Sequence, residues 1–190
     1  MSYKSASDSA HARSFAPVAG QCPKILVLGS VPGQASMKAV QYYAHPRNAF
    51  WPITVATIQN SPINLPQAHA IDYETRLTMA CEHGLALWDV LSFCKRPGSL
   101  DNQIERTSEV ANPIVEWLTL HPSVMRVCFN GKTAAALFRR HIKKEFEATV
   151  PPQQIEFVTL PSTSPAMASL TPEQKLNQWC AALAVDNTFS

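Results

Sequence analysis

The sequence has little charge and none of the long apolar segments found in membrane proteins. Only 16% of its 190 residues are charged and the net charge is +2, so no dense basic surface is predicted. No apolar run reaches the roughly 20 residues that cross a bilayer. Residues 1–20 lack the apolar segment of a secretory signal. These absences predict a cytoplasmic protein with no membrane segment, and any binding of nucleic acid must be argued from motifs.

Patterns typical of disulfides and bound metals are absent too. The five cysteines are scattered and include no C-x-x-C pair, which indicates free thiols in a reducing compartment. An iron–sulfur cluster needs about four thiolates brought together, usually with one close pair among them. The six histidines show neither H-x-x-x-H nor H-E-x-x-H spacing. We therefore predict no bound metal and no cofactor.

The length and the hydrophobic content favour a single domain. A chain of 190 residues that is 46% hydrophobic can bury a core without help from disulfides or metal. Residues 1–20 are rich in Ser and Ala and are predicted to form a disordered leader. Residues 21–186 are predicted to form the domain, and we expect a monomer.

Four short apolar segments are predicted to be β-strands, with helical patterns between them. The strands are Lys24–Leu28, Leu85–Leu91, Val124–Phe129 and Ile155–Leu160. The main helices are Phe50–Gln59, Asp72–His83 followed by a C-cap glycine at Gly84, a helix capped by Asn112 that ends near Leu120, Lys132–Lys144, and a last helix that begins at a Thr171 capping box. This alternation predicts a three-layer α/β/α sandwich around a central, mostly parallel four-stranded sheet.

Polar clusters lie where a ligand of such a sheet would bind, beyond the carboxyl ends of the strands. Gly29 and Ser30 begin a loop after the first strand, and Tyr42–Trp51 combines aromatic, basic and amide groups a few residues later. Asn130 follows the third strand, where it either caps a helix or binds a ligand. Ser162 and Ser164 follow the fourth strand, in a Pro-Ser loop that is either an ordinary turn or a phosphate-binding loop.

Taken together, these motifs resemble the uracil-DNA glycosylase superfamily. The matching strings are G-S-V-P-G, Y-Y-A-H-P-R-N-A-F-W, F-N-G and L-P-S-T-S-P-A, and the similarity runs from about Lys24 to Leu183. The chain is most similar to the hypoxanthine-DNA glycosylase branch, although mismatch-specific uracil glycosylases share its H-P-x-N-x-F-W string. The resemblance implies the superfamily fold and a base excision repair enzyme. Its partner would be DNA containing a deaminated base, whose N-glycosidic bond it would hydrolyse after extruding that base.

Two positions depart from the pattern of the wider superfamily. Members with a G-Q-D-P-Y loop have a catalytic Asp, and mismatch-specific members an Asn, where this sequence has Val31. Other members begin the second loop with a catalytic His, which is Leu160 here. The resemblance to the hypoxanthine branch implies that Asn48 takes the catalytic role by positioning water and facing the developing sugar cation. Asp89, an acid near a strand end, is the rival candidate.

The resemblance also implies how the base is bound. Phe50 matches the position that stacks on the extruded base, and Gly29 and Ser30 belong to the base-binding loop. The amide of Asn130 matches the N–H donor and C=O acceptor of hypoxanthine. Uracil presents the same edge and adenine the reverse, so a partner that the sequence does not reveal must hold the amide in one orientation.

The remaining candidates concern the DNA strand and the loops. Ser162 and Ser164 match the loop that contacts phosphate. Met167 either inserts into the duplex or packs in the core, and Arg47 either contacts phosphate or lies free in solvent. His45 is expected to hold its loop through a ring N–H. Asp101 is expected to tie a loop or cap a helix.

Three functions are compatible with these observations. The first is a monofunctional hypoxanthine-DNA glycosylase, since no lysine matches a known nucleophile for lyase chemistry. The second is excision of uracil opposite guanine by the same fold. The third is a non-catalytic α/β module that binds a nucleotide or flavin. A serine hydrolase is disfavoured because the sequence has no G-x-S-x-G turn.

Overall fold

The computed structural model describes residues 11–149 and 155–184. In chain order its elements are β1 (His11–Arg13), β2 (Ile25–Gly29), α1 (Gln34–Ala39), α2 (Phe50–Ile58), α3 (Leu65–Ala70), α4 (Tyr73–Glu82), β3 (Leu85–Asp89), β4 (Leu91–Lys95), β5 (Val110–Ala111), α5 (Ile114–Leu120), β6 (Arg126–Asn130), α6 (Lys132–His141), α7 (Lys143–Thr149), β7 (Glu156–Leu160) and α8 (Pro172–Leu183). Within these two ranges, no helix is both long enough and apolar enough to cross a membrane.

A parallel sheet with the strand order β3-β2-β6-β7 lies at the centre of the molecule. Successive side chains of β2 point to opposite faces, so Leu26 and Leu28 join one apolar cluster while Ile25 and Val27 join another. The first cluster includes buried residues of α5 and α6, and the second includes residues of α2 and α8. The predicted three-layer α/β/α architecture is therefore confirmed.

The parallel register brings the carboxyl ends of the four strands to one edge. Gly29 pairs with Asp89, and Asn130 pairs with Leu160. The loops that follow these residues consequently share one side of the sheet, where a ligand of an open α/β fold is expected to bind.

The predicted strand Leu85–Leu91 is in fact divided between two sheets. β3 ends at Asp89, and Leu91 begins β4, which pairs antiparallel with β1 and β5. At this division the Val90 N–H donates to the Gly29 carbonyl of β2, while the Val90 carbonyl accepts from the Asn112 N–H, directly after β5. Sequence hydrophobicity cannot reveal this change of partner, since Val90 is as buried as its neighbours.

Part of the predicted disordered leader is ordered. His11–Arg13 form β1, and Val18 makes an isolated antiparallel bridge to Leu87. The pairing with β4 supplies hydrogen bonds that the composition of this segment does not indicate, and the small Ala12 side chain is buried in the apolar core. Residues 1–10 of the leader, and residues 185 and 186 of the predicted domain, lie outside the described ranges.

Two helix predictions are corrected and two others are confirmed. Asn112 does not cap α5, because its buried Nδ2 donates to the Asp89 carbonyl at 2.8 Å. The predicted helix Lys132–Lys144 is divided into α6 and α7 at Ile142, which lies between them with a φ of −113°. Gly84 adopts a φ of +82° after α4, as expected of a C-cap glycine. Thr171 forms the predicted capping box at the start of α8.

Candidate active site

A cavity of about 350 Å³ opens at the carboxyl edge of the parallel sheet. The loops after β2, β4, β6 and β7 and the segment before α2 line it together. It brings together most residues predicted for the site, namely Gly29, Ser30, Asn48, Asn130, Ser162, Ser164 and Met167. Phe50 and Arg47 are not among its lining residues.

Asn48 lines the cavity at the end of the loop that precedes α2. Its Oδ1 accepts a hydrogen bond of 3.0 Å from the Phe50 N–H, and its own N–H donates to the His45 carbonyl at 2.8 Å. Nδ1 of His45 accepts from the Arg47 N–H at 3.1 Å. His45 therefore holds the loop as predicted, but its ring nitrogen accepts the bond instead of donating it.

Phe50 does not fit the base-stacking role predicted for it, because its side chain is completely buried in the core. Its ring lies edge-on to Trp51 and Trp179 and stacks on Tyr43 with a centroid distance of 3.9 Å. Tyr43 is the aromatic residue that separates Phe50 from the cavity and lines it. Within the predicted aromatic segment, the ring that reaches the cavity is thus Tyr43 and not Phe50.

The amide of Asn130 is held on both sides by Thr163. The Thr163 N–H donates to Oδ1 at 2.8 Å, and Nδ2 donates to the Thr163 hydroxyl at 2.8 Å. Since a backbone N–H can only donate, this pair of bonds determines which side of the amide carries the oxygen. The Thr163 carbonyl also accepts from the Ala49 N–H at 3.0 Å, which joins the Asn48 loop to the Asn130 loop.

Asp101 ties two loops together, as predicted for it. Its carboxylate accepts from the Ser30 hydroxyl at 2.8 Å and from Nη1 of Arg96 at 3.3 Å. Arg96 is almost wholly buried and also donates through Nη2 to the Pro32 carbonyl at 2.5 Å. The loop after β2 is thereby held against the segment that follows β4.

Asp89 is the second carboxylic acid in the cavity. Its Oδ2 accepts from the Ser14 hydroxyl at 3.0 Å, and a Cβ added to Gly29 would overlap its Oδ1. Glycine is therefore required at the end of β2 for the carboxyl group to approach so closely. Burial raises the pKa of Asp89 to about 7.

The Pro-Ser loop after β7 presents two hydroxyl groups to the cavity. The Ser162 Oγ accepts from the Ser164 N–H at 3.2 Å, and the Ser164 Oγ accepts from the Ala166 N–H at 3.3 Å. Both hydroxyls thus use an oxygen lone pair locally and keep an O–H to donate.

Met167 is half-buried against the same cavity, and its carbonyl accepts from Nζ of the buried Lys175 at 2.9 Å. Met167 is not a core methionine.

Among the residues of the two described ranges, no group of three or more His, Cys, Asp or Glu side chains is arranged to hold a metal ion. The polar part of the cavity lining consists of amides, hydroxyls, two carboxyl groups, the Arg96 guanidinium and the His45 ring, which are able to form hydrogen bonds with a polar ligand.

The sequence model of the uracil DNA glycosylase superfamily matches residues 18–186. The chain belongs to the uracil-DNA glycosylase superfamily. The resemblance inferred from the four motifs is thereby confirmed, and the non-catalytic nucleotide- or flavin-binding module is set aside.

Three relatives of this superfamily member are informative. A hypoxanthine DNA glycosylase of Methanosarcina barkeri is 35% identical over 118 residues, which are 62% of this chain and 70% of the relative. One of Methanosarcina acetivorans is 30% identical over 154 residues, which are 81% and 87% of the two chains. The solution structure of a protein described as a candidate uracil DNA glycosylase, also from Methanosarcina acetivorans, matches with a TM-score of 0.71. That match has 26% identity and covers 91% of this chain and 96% of the other.

Three residues of this glycosylase site were not singled out from the sequence. Tyr43 and Thr163 lie inside the motifs that carry the resemblance, in which neighbouring residues are the predicted site residues. Arg96 follows β4 and carries no local signal, because only the folded chain places it beneath the loop after β2.

Proposed function

We propose that this chain is a monofunctional DNA glycosylase that extrudes hypoxanthine from DNA and hydrolyses its N-glycosidic bond. One observation carries the proposal: the Asn48 amide and the oriented Asn130 amide line the same cavity. The names of the two curated relatives support hypoxanthine as the base.

Asn130 is suited to read the edge of hypoxanthine. After its two bonds to Thr163, the amide keeps one N–H donor and one oxygen lone pair. These groups match the C=O acceptor and the N–H donor that hypoxanthine presents side by side. Adenine presents the opposite arrangement, so binding it would require the amide to turn and lose the bond from the Thr163 N–H. Uracil offers the same edge as hypoxanthine and remains the second candidate.

Tyr43 is suited to receive the extruded base. Extrusion costs a few kcal/mol, and stacking on an aromatic ring returns about 1–3 kcal/mol. The ring of Tyr43 lines the cavity and is supported from behind by Phe50. Phe50 would then act indirectly, by holding the ring on which the base stacks.

Asn48 is the proposed catalytic residue. Its Nδ2 makes no hydrogen bond to the residues described, and its Oδ1 has a second lone pair besides the one used by the Phe50 N–H. These groups can position the attacking water and face the cation that develops on the sugar. An amide is a weak base, so we expect a slower reaction than in enzymes with a carboxylate, where base catalysis contributes about 10²–10⁴-fold.

The DNA strand is proposed to lie against the Pro-Ser loop. The free O–H groups of Ser162 and Ser164 are suited to donate to a phosphate, and the exposed Arg47, next to Asn48 in the sequence, is proposed to add a positive charge. Met167 is proposed to contact the duplex at the position of the extruded base.

We further propose that the enzyme is monomeric and works in the cytoplasm, where its free cysteines stay reduced.

The test is a panel of duplex oligonucleotides that contain hypoxanthine, uracil, xanthine or a thymine mismatch. The wild-type chain is expected to release hypoxanthine and to leave an abasic site without strand cleavage. Asn48→Ala is expected to abolish release while binding of the same DNA survives. Full activity of Asn48→Ala would refute the catalytic assignment, and faster release of uracil would favour the second candidate.

A matched variant separates catalysis from stability. Asn48→Ala also removes the acceptor for the Phe50 N–H, and loss of such a bond at a helix start costs about 1 kcal/mol. Asn48→Ser keeps a side-chain oxygen for that N–H but has no amide. We expect it to unfold like the wild type and to be as inactive as Asn48→Ala.

A further inference from the structure

Asp89 is a buried ionisable group in the cavity that the chemistry proposed for Asn48 does not use. It ends β3, and only 4% of its surface is exposed. Its carbonyl accepts from Nδ2 of Asn112 and its Oδ2 accepts from the Ser14 hydroxyl. No residue within 11–149 or 155–184 donates a hydrogen bond to its Oδ1.

Oδ1 of Asp89 lies over Gly29 on the cavity side of the sheet. A Cβ built on Gly29 would overlap this oxygen and would lie 3.6 Å from the Tyr43 hydroxyl. The Tyr43 hydroxyl is buried beside the same glycine and near the Asn130 side chain. Asp89 lines the cavity and its Oδ1 has no donor among the described residues, so a bound base with an acceptor atom would satisfy this group when the carboxyl is protonated.

The surroundings allow Asp89 to hold a proton at a pH close to neutral. Burial raises its pKa to about 7, and Asp101 raises it further, while the Ser14 hydroxyl and the Arg96 guanidinium oppose this rise. Arg96 directs its guanidinium to Asp101 and the Pro32 carbonyl. The hydroxyls of Tyr42 and Tyr43 also face this region, and burial raises the pKa of both, so they stay neutral.

We propose that Asp89 is the general acid that donates a proton from Oδ1 to N7 of the extruded purine as the glycosidic bond breaks. This inference rests on the proposed function. The C1′–N9 bond breaks and its electron pair passes to the imidazole ring, while the Asp89 O–H bond breaks and an N7–H bond forms. Water adds its hydroxyl to C1′, and its proton restores the acid form of Asp89.

The proposal makes the purine ring part of the selectivity. N7 belongs to the same five-membered ring as N9, so protonation there makes the base a better leaving group. Uracil has no equivalent atom, so the Asp89 acid can assist departure of hypoxanthine but cannot assist uracil in the same way. Asp89 therefore favours the first candidate base over the second, which the Asn130 amide alone does not separate.

The assignment is tested in the whole chain by a double-substitution cycle, which combines the Asp89→Asn change in the protein with the removal of N7 from the base. Single-turnover excision is measured for wild type and Asp89→Asn on DNA that contains hypoxanthine or 7-deazahypoxanthine. Either change alone is expected to slow excision by about 10²-fold or more, the usual size of general acid catalysis. Both changes together are expected to be no slower than one. A wild-type rate of hypoxanthine excision in Asp89→Asn would overturn the proposal. So would a variant that slows excision by the same factor on both substrates, because Asp89 would then act independently of N7.

The pH profile gives a second readout. The acid form is the active form, so the wild-type rate is expected to be high below pH about 7 and to fall as the pH rises through the Asp89 pKa. Asp89→Asn is expected to lack this falling limb. The hydrogen bond from the Ser14 hydroxyl to Oδ2 favours the charged form of Asp89 and lowers its pKa. Ser14→Ala removes this bond, so it should raise the pKa and move the midpoint of the pH profile to higher pH.

The Ser14→Ala result decides the matter even if Asp89→Asn does not fold, because an unmoved midpoint would contradict the assignment. The two proposals also fail differently. A wild-type chain that releases no hypoxanthine would refute the proposed function. A wild-type chain that releases it with no dependence on Asp89 would refute only the general acid.

Discussion

Thr163 shows how one side chain can orient another that is proposed to contact a ligand. Asn130 carries the amide proposed to bind the base, but an amide that can rotate freely accepts either orientation of donor and acceptor. The backbone N–H and the hydroxyl of Thr163 remove that freedom, and its carbonyl binds the loop that carries Asn48. Selectivity against adenine is therefore expected to depend on a threonine that is only 1% exposed.

Thr163→Val tests this positioning role. The change removes the hydroxyl acceptor but keeps both backbone bonds, so one hydrogen bond worth about 0.5–1.5 kcal/mol is lost. We expect kcat/KM for hypoxanthine DNA to fall about threefold to tenfold. The ratio of kcat/KM for hypoxanthine DNA to kcat/KM for adenine DNA is expected to decrease as well. Thr163→Ser restores the hydroxyl and should recover both values. An unchanged ratio in Thr163→Val, with an unchanged melting temperature, would contradict the role.

Tyr43 and Phe50 divide between them the task that one residue was predicted to perform. Phe50 is completely buried against two tryptophans and contributes to the core, whereas Tyr43 lies on it and lines the cavity. Tyr43 adopts a φ of +56°, which is uncommon for a residue other than glycine and reflects the sharp turn that brings its ring over Phe50. The aromatic motif thus supplies one ring to the core and another to the wall of the cavity.

Among the secondary-structure elements, the end of α6 is joined to the start of β5 by a cluster of charged groups. Glu109 precedes β5, and its nearly buried carboxylate accepts from Arg140 and His141 at the end of α6. Although burial alone would raise the pKa of Glu109, the bonds from Arg140 and His141 lower it overall. This cluster connects the small antiparallel sheet to a helix that flanks the parallel one.

Glu109→Gln is expected to lower the free energy of unfolding at neutral pH by about 1–3 kcal/mol, the range for a charged hydrogen bond in a buried setting. Because the folded-state pKa of Glu109 is lowered, its stabilisation is present above the unfolded value of about 4.3 and is lost as the pH falls through the folded value. Urea titrations at a series of pH values should show the difference from wild type shrinking in acid. The exposed pair Lys143–Glu147 provides the control, since Glu147→Gln should change stability by less than about 1 kcal/mol. A difference for Glu109→Gln that persists in acid would contradict the expectation.

Considered as a whole, the molecule combines the parallel sheet with a second, antiparallel sheet in the order β1-β4-β5. Ala12 of β1 is buried in the same apolar cluster as Leu28 of β2, so one continuous core joins the two sheets. Ser14, directly after β1, reaches the carboxylate of Asp89 in the cavity. The N-terminal segment is therefore connected to both the core and the site.

Ala12→Asp tests the contribution of this segment to the whole fold. An unpaired carboxylate in the core is expected to lower the free energy of unfolding by about 3–5 kcal/mol, measured by denaturant unfolding. The neighbouring Arg13 is exposed and lies 5.0 Å above the Phe93 ring, so Arg13→Ala should cost about 1 kcal/mol or less. Equal stability of Ala12→Asp and wild type would show that β1 is dispensable for folding.

Local patterns sufficed for much of this architecture. The aliphatic run at Lys24–Leu28 predicted a strand covered on both faces, because such a sequence cannot present a polar face, and the buried strand Ile25–Gly29 forms there. Thr171 predicted the start of α8, since a capping box depends only on residues within one turn. Motif resemblance predicted the superfamily and the cavity positions of Asn48 and Asn130, because these loops directly follow or precede regular elements.

The amino-acid order thus establishes the elements, the superfamily and the loops that form the cavity, since these depend on short-range periodicity and on recognisable strings. Folding alone assigns partners to the side chains. It places Tyr43 in front of Phe50, Thr163 around the Asn130 amide, and Ser14 on Asp89, across separations of 33 and 75 residues for the last two. Contacts between residues so far apart leave no periodic trace in the chain, because each depends on how whole elements pack.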